Sequence, residues 1–219
     1  MQILIVKLGA IGDVIRTTAV LHGLKEKYHN CKIDWVTKEE SFDILRNNNL
    51  IGKIFFMSDI RKILSYRAYD LIISLDDEHS ACELATNVNS KRIIGAYLKD
   101  NKKVYTKNSS LWFDMGLLSR LGKQKADELK AKNKKTYQEI MYKILGLKYR
   151  KQEPILALDK RELNFAKRFA KKNDIKDTDL LIGINTGAGG RWEDKKLSVG
   201  NAAGLVDKLN KQIKNVKIL

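Results

Sequence analysis

Three clusters in the 219-residue sequence hold residue types able to do chemistry. Gly9-Ala10-Ile11-Gly12-Asp13 follows a short apolar run, so its glycines would let backbone approach a bound molecule at the end of a strand. Asp13 there either turns its carboxylate to the cleft or caps the helix that begins beside it. Asn185-Thr186-Gly187-Ala188-Gly189-Gly190-Arg191-Trp192, followed by Lys195, combines freed backbone amides, a hydroxyl and two cations. That set suits a diphosphate, and its alternative is a tight turn with solvated cations. Asp76-Asp77-Glu78-His79 gathers acids and one histidine, but no second cluster completes a metal site, which leaves cleft lining or a solvated helix start.

Known nucleotide signatures do not fit either glycine cluster. A dinucleotide fingerprint needs glycine where Lys7 stands, and the spacing of a P-loop is absent. His22 and His29 read as helix-surface residues, and Trp35 and Trp112 as core.

The elements that must position these clusters alternate. Residues 2 to 8 (QILIVKL) are a β-branched apolar run, as in a buried parallel strand, and Val14, Ala19, Leu21, Leu24 and Tyr28 then form a helical stripe. Further strands are predicted at Lys32 to Thr37, from Lys53, from Asp70, and from Arg92 to a stop near a glycine. Helices are predicted from Ser41, a candidate cap, to Asn47 and around Ile60 to Tyr66. Strands alternating with helices imply an α/β fold, a parallel sheet covered on both faces. From Leu111 to Gly146 the pattern is helical, with a lysine-rich loop at Lys130 to Lys135 and capping-box spacing between Thr136 and Glu139. A restart follows the single proline, Pro154: helix Lys160 to Lys172, strand from Leu180, glycine turn, helix Val199 to Ile213, and strand VKIL. The expected domains are residues 1–154 and 155–219.

Composition narrows the function classes. Two cysteines far apart, Cys31 and Cys82, indicate neither a disulfide framework nor a zinc site and fit a reducing cytoplasm. No apolar segment is long enough for a signal peptide or a membrane span. The formal charge of +16 favours polyanionic partners, and residues 91 to 150 hold 16 Lys and Arg against 5 Asp and Glu. A basic nucleic-acid-binding module is compatible with that charge, yet RNP, KH and zinc-finger signatures are missing, so a nucleic-acid partner is not expected.

ILIVKLGAIGDVIRTTAVLHGLKEKY followed by IDWVT, YDLIISLDDEHSACELA followed by RIIGAY, and INTGAGGRWEDKKLS together resemble glycosyltransferase family 9, which includes the lipopolysaccharide heptosyltransferases. The resemblance implies a GT-B type fold: a Rossmann-like acceptor domain, then the start of a second Rossmann-like domain that binds a nucleotide sugar. It implies Asp13 as catalytic base, with Gly9, Ala10 and Gly12 against the acceptor. Thr186, Gly187 and Lys195 match donor-phosphate contacts, helped by Ala188 and Arg191. The implied reaction is inverting transfer of a sugar, heptose by the resemblance, from an ADP-linked donor to an anionic glycolipid or glycan. Neither metal nor cofactor is implied, and the implied place is the cytoplasm, in peripheral contact with the inner membrane surface. Leu197-Ser198 stands where the family often has Trp-Pro. Donor-domain motifs beyond the second strand are absent, so the resemblance implies a truncated donor domain. A non-catalytic fragment that binds acceptor or nucleotide is the alternative.

Overall fold

The computed structural model describes residues 1–187 and 196–219. The chain divides into two compact units, Met1–Ala157 and Leu158–Leu219.

In the first unit, β1 (Gln2–Val6) leads into α1 (Ile11–Thr17) and α2 (Val20–Lys27), then β2 (Lys32–Thr37) and the short α3 (Phe42–Leu45). Next come β3 (Lys53–Phe56), α4 (Ile60–Tyr66), β4 (Leu71–Ser74), α5 (His79–Asn87), β5 (Ile93–Lys99) and β6 (Lys102–Tyr105). Three helices close the unit: α6 (Ser110–Phe113), α7 (Lys123–Lys132) and α8 (Tyr137–Leu145). The sheet order is β3-β2-β1-β4-β5-β6, parallel except for the antiparallel β5–β6 edge.

Alternation along β1 builds both faces of that sheet. Ile3 and Ile5 join Val20, Leu24, Met141 and Tyr142 on one side, whereas Leu4 and Val6 join Ile63, Ala81 and Leu84 on the other. Both sets are fully buried, which is why the strand reads as a continuous apolar run. At roughly 1.5–3 kcal/mol per buried aliphatic side chain, these two layers hold the sheet and fix the ends of its strands.

Several local expectations are corrected. The first strand ends at Val6: Lys7 lines the site, while Leu8 packs with Leu4 and Val6 in the core. Ser41 makes no capping bond; a 3-10 turn over Glu39–Ser41 feeds α3, and the Ser41 hydroxyl is buried without a partner. The strand from Arg92 does not stop near its glycine. It runs to Lys99 and returns as β6, with Gly95 in mid-strand at φ 113°, where an added Cβ would lie 1.8 Å from the Ser74 carbonyl oxygen. Only glycine tolerates that approach. The lysine-rich segment is shorter as a loop, since α7 runs to Lys132.

The second unit holds α9 (Lys160–Lys172), β7 (Leu180–Ile182), α10 (Val199–Gln212) and β8 (Val216–Ile218), with β7 and β8 parallel. Asp159 and Glu162 form a capping box at the start of α9. None of the described residues of this unit is buried. Among the described residues, no helix is long and apolar enough to cross a membrane.

Candidate functional site

Open α/β sheets bind ligands beyond the carboxyl ends of their strands, where the strand order reverses. In the first unit that point lies between β1 and β4, which leave the sheet side by side and deliver Lys7 to Asp13 and Leu75 to Asp77 to one place. The backbone there stays tied to the sheet: Leu75 N–H donates to the Val6 carbonyl at 3.0 Å and Lys7 N–H to Val36 at 3.1 Å.

The floor is a buried ion pair. The Lys7 ammonium donates to Asp76 Oδ1, and Asp76 Oδ2 accepts from the Leu8 amide. Side-chain exposure is 5% for Lys7 and 12% for Asp76. Burial pushes the Asp76 carboxyl above its ordinary range, and the Lys7 ammonium pulls against that rise. Lys7 also reaches Asp13, with Nζ 3.9 Å from Oδ2.

Asp13 is not a cap. Helix α1 starts at Ile11 after Ala10, and the Asp13 amide donates to the Ala10 carbonyl at 2.8 Å, so Asp13 lies inside the first turn. Its carboxylate, 40% exposed, accepts from Arg16 at 3.0 Å, one helical turn on. The guanidinium lies 3.9 Å from the centroid of the Tyr137 ring, and Trp112 meets Tyr137 edge-on at 5.1 Å. The Thr17 hydroxyl donates to the Asp13 carbonyl at 2.6 Å, so its one proton is spent, and the Tyr137 hydroxyl is the donor in their 2.7 Å contact. Burial raises Tyr137 well above the usual phenol range, which keeps it in that donor form.

These groups border a cavity of about 510 Å³. Lys7, Asp13 and Asp76 form its floor, Arg16, Trp112 and Tyr137 a wall, and Lys130, Asn133 and Lys135 its basic rim. Thr136 caps α8 by accepting from the Glu139 amide at 3.2 Å, and Gly146 ends that helix in the left-handed conformation. This fixes where the rim segment enters the wall. Gly9 and Gly12 have open space where a side chain would stand, so packing does not demand glycine; Ala10, between them, is exposed.

The sequence clusters are thus partly joined. Gly9, Ala10, Gly12, Asp13, Asp76 and Asp77 meet at the switch point. Glu78 instead pairs with Lys38 at 2.9 Å, and His79 begins α5. Among the described residues no group of three His, Cys, Asp or Glu could hold a metal ion. In the second unit, the Thr186 carbonyl accepts from the Leu197 amide at 3.2 Å and the Gly187 amide donates to Asn185 at 3.0 Å. Ala188, Arg191 and Lys195 lie outside the described residues. Ser198 caps α10 by accepting from the Asn201 amide at 3.2 Å.

Sequence reasoning missed Lys7, Arg16 and Tyr137 as site residues and read Trp112 as core, although it stands in the cavity wall. Two signals were present. A lysine at the end of a buried apolar strand requires an anionic partner, and Asp13 and Arg16 have the spacing of neighbours on one helix face.

Comparison with known proteins bears on this geometry. No family model matches the chain. It is 25% identical over 115 residues to lipopolysaccharide heptosyltransferase 3 of Escherichia coli, covering 46% of this chain and 32% of that protein. It is 29% identical over 111 residues to lipopolysaccharide heptosyltransferase 1 of Campylobacter coli, covering 50% and 32%. A family 9 glycosyl transferase structure from Veillonella parvula superposes with a TM-score of 0.71 at 19% identity, over 99% of this chain and 61% of that one. The chain is similar to glycosyltransferase family 9. A second solved structure, ADP-heptose lipopolysaccharide heptosyltransferase II of E. coli, gives a TM-score of 0.58 at 13% identity, over 100% of this chain and 64% of that one. The fold of this family 9-like chain is therefore GT-B-like, with Rossmann-like α/β units. Its matched segment spans about a third of the length of these curated relatives.

Proposed function

We propose that the chain serves in glycosyl transfer of the heptosyltransferase kind, with the first unit holding the acceptor and Asp13 as general base. The observation that carries this reading is a half-exposed carboxylate at the switch point, facing a cavity with a basic rim. Asp13 takes the proton of an acceptor hydroxyl as that oxygen bonds to the anomeric carbon of a nucleotide sugar. The bond from that carbon to the diphosphate breaks, so the configuration inverts and the nucleoside diphosphate leaves. The donor is an ADP-linked sugar, on the precedent of the relatives' names. Thr186, Gly187, Ala188, Arg191 and Lys195 stabilise the charge that grows on its phosphates, a role that rests on the sequence resemblance. No metal or cofactor takes part.

Lys130 and Lys135 extend the excess positive charge of residues 91 to 150 into the cavity, which fits an anionic glycolipid or glycan presented at the cytoplasmic face of a membrane. Replacing the base tests this reading. Asp13→Asn is expected to lower turnover about 10² to 10⁴-fold with an ADP-sugar and a lipopolysaccharide-type acceptor, while acceptor affinity changes little. Turnover within threefold of the unmodified chain would sink the role of Asp13. Acceptor binding without any transfer by the unmodified chain would favour a binding module.

A further inference from the structure

A general base is strongest with no cation drawing on the oxygen that takes the proton, and Asp13 has a cation near each of its oxygens. Its Oδ1 accepts from Arg16 at 3.0 Å and its Oδ2 faces Lys7 at 3.9 Å. The two cations are held very differently. Lys7 is buried and committed to Asp76, whereas Arg16 is 37% exposed and borders the open cavity. The Arg16 Nε has no hydrogen-bond partner, although it is shielded from water. The guanidinium rests on the Tyr137 ring at 3.9 Å, a flat support over which it can turn without leaving the wall. Half-exposed ion pairs contribute little and exchange partners readily, and a guanidinium has donors on more than one edge.

We propose that Arg16 is a substrate-operated guard on Asp13. An anionic group on the incoming acceptor, a carboxylate or a phosphoryl group, takes the guanidinium and its unpartnered Nε. That releases Asp13 Oδ1 to receive the hydroxyl proton. This inference rests on the reading of Asp13 as base, and it adds a condition: Oδ1 is free of its cation only when an acidic acceptor is in place. Lys130 and Lys135 on the rim draw that same charge in, while Asp13, Asp76 and Asp77 keep the anion from settling on the floor. Arg16 is thus a specificity and positioning residue, and no chemical step passes through it.

The test reads the coupling without needing transfer. The intact chain is titrated with inorganic phosphate, with glucuronate and with glucuronate methyl ester, while NMR follows the Arg16 Nε and the Asp13 carboxylate carbon. Either anion is expected to move both signals with one dissociation constant, and the uncharged ester neither. In Arg16→Gln, anion affinity should fall about tenfold, within the usual range of coupling between two sites, and the Asp13 signal should stay still. A response to phosphate alone assigns a phosphoryl group, and a response to glucuronate alone a carboxylate. Three results overturn the guard: no movement of Asp13 with either anion, equal movement with the ester, or undiminished movement in Arg16→Gln. Arg16→Lys keeps the charge but not the two-edged donor, so a full response in that variant also overturns it. Since no turnover is measured, failure here leaves the Asp13→Asn experiment intact, and loss of Asp13 as base leaves this one readable.

Discussion

Two cations face the two oxygens of the same carboxylate in one cavity, and they are held in opposite ways. Lys7 on the floor is 5% exposed, bound to Asp76, and tied through its backbone N–H to Val36 of the neighbouring strand. Arg16 on the wall is 37% exposed and rests on a ring supplied from α8, more than a hundred residues away in sequence. The floor is therefore a fixed part of the fold, and the wall is the arrangement that, on our proposal, a ligand changes. On the proposed function, a site that holds a base in place while admitting an acceptor needs both kinds of support.

The largest effect that separates them is on stability. Lys7→Met leaves the Asp76 carboxylate buried without its partner, which typically costs roughly 3–5 kcal/mol by urea unfolding. Burial alone then governs Asp76, so its folded-state affinity for a proton rises further above the unfolded value. A raised carboxyl keeps its proton in the fold where the unfolded chain has lost it. The variant should therefore recover stability as pH falls and lose it as pH rises through that window. Lys7→Met combined with Asp76→Leu should regain much of the loss. A single variant as stable as the original chain would mean that the floor is no more fixed than the wall.

A smaller effect tests how the wall is hung. Thr136 accepts from the Glu139 amide and sets the start of α8, whose first residue is the Tyr137 that supports Arg16. Thr136→Ala should cost about 1 kcal/mol, the usual value of a lost helix cap. It should also shift the Arg16 Nε resonance while leaving the Lys7 ammonium unmoved. Equal disturbance of both would show floor and wall to be one rigid piece.

Much of the floor was legible in the sequence because it depends on neighbours along the chain. The apolar run before Lys7 and the run before Asp76 both read as buried parallel strands, and the glycine turn marked the strand end. The wall was not legible. Tyr137, Trp112 and Lys130 come to the cavity from three different helices, and α8 takes its place because Ile140, Met141 and Tyr142 pack on the face that Ile3 and Ile5 offer, which is a tertiary choice. β6 was missed for a different reason: its lysines hide the strand, although Asp100 and Asn101, both at positive φ, form the kind of tight turn that joins two antiparallel strands. The second unit shows the limit of local pattern. Its strands and helices fall close to where periodicity places them, yet Leu180 and Leu181 remain 50% exposed on a two-stranded sheet. Pattern specifies an element, and only its neighbours bury it.

The smallest expected effect is the most discriminating, because it separates an exchangeable cation from a structural one. Arg16→Gln removes a half-exposed ion pair of the kind worth about 0–1 kcal/mol, so the unfolding midpoint should move little. The ring beneath should stay in place, since the Tyr137 hydroxyl is held by Thr17 at 2.7 Å and its edge by Trp112, neither of which needs Arg16. Amide exchange in α8 should accordingly match that of the original chain. A loss on the scale of the Lys7 variant would place the guanidinium among the fixed parts of the fold. Arg16 could not then leave Asp13 for an incoming anion without loosening α1 and α8 together.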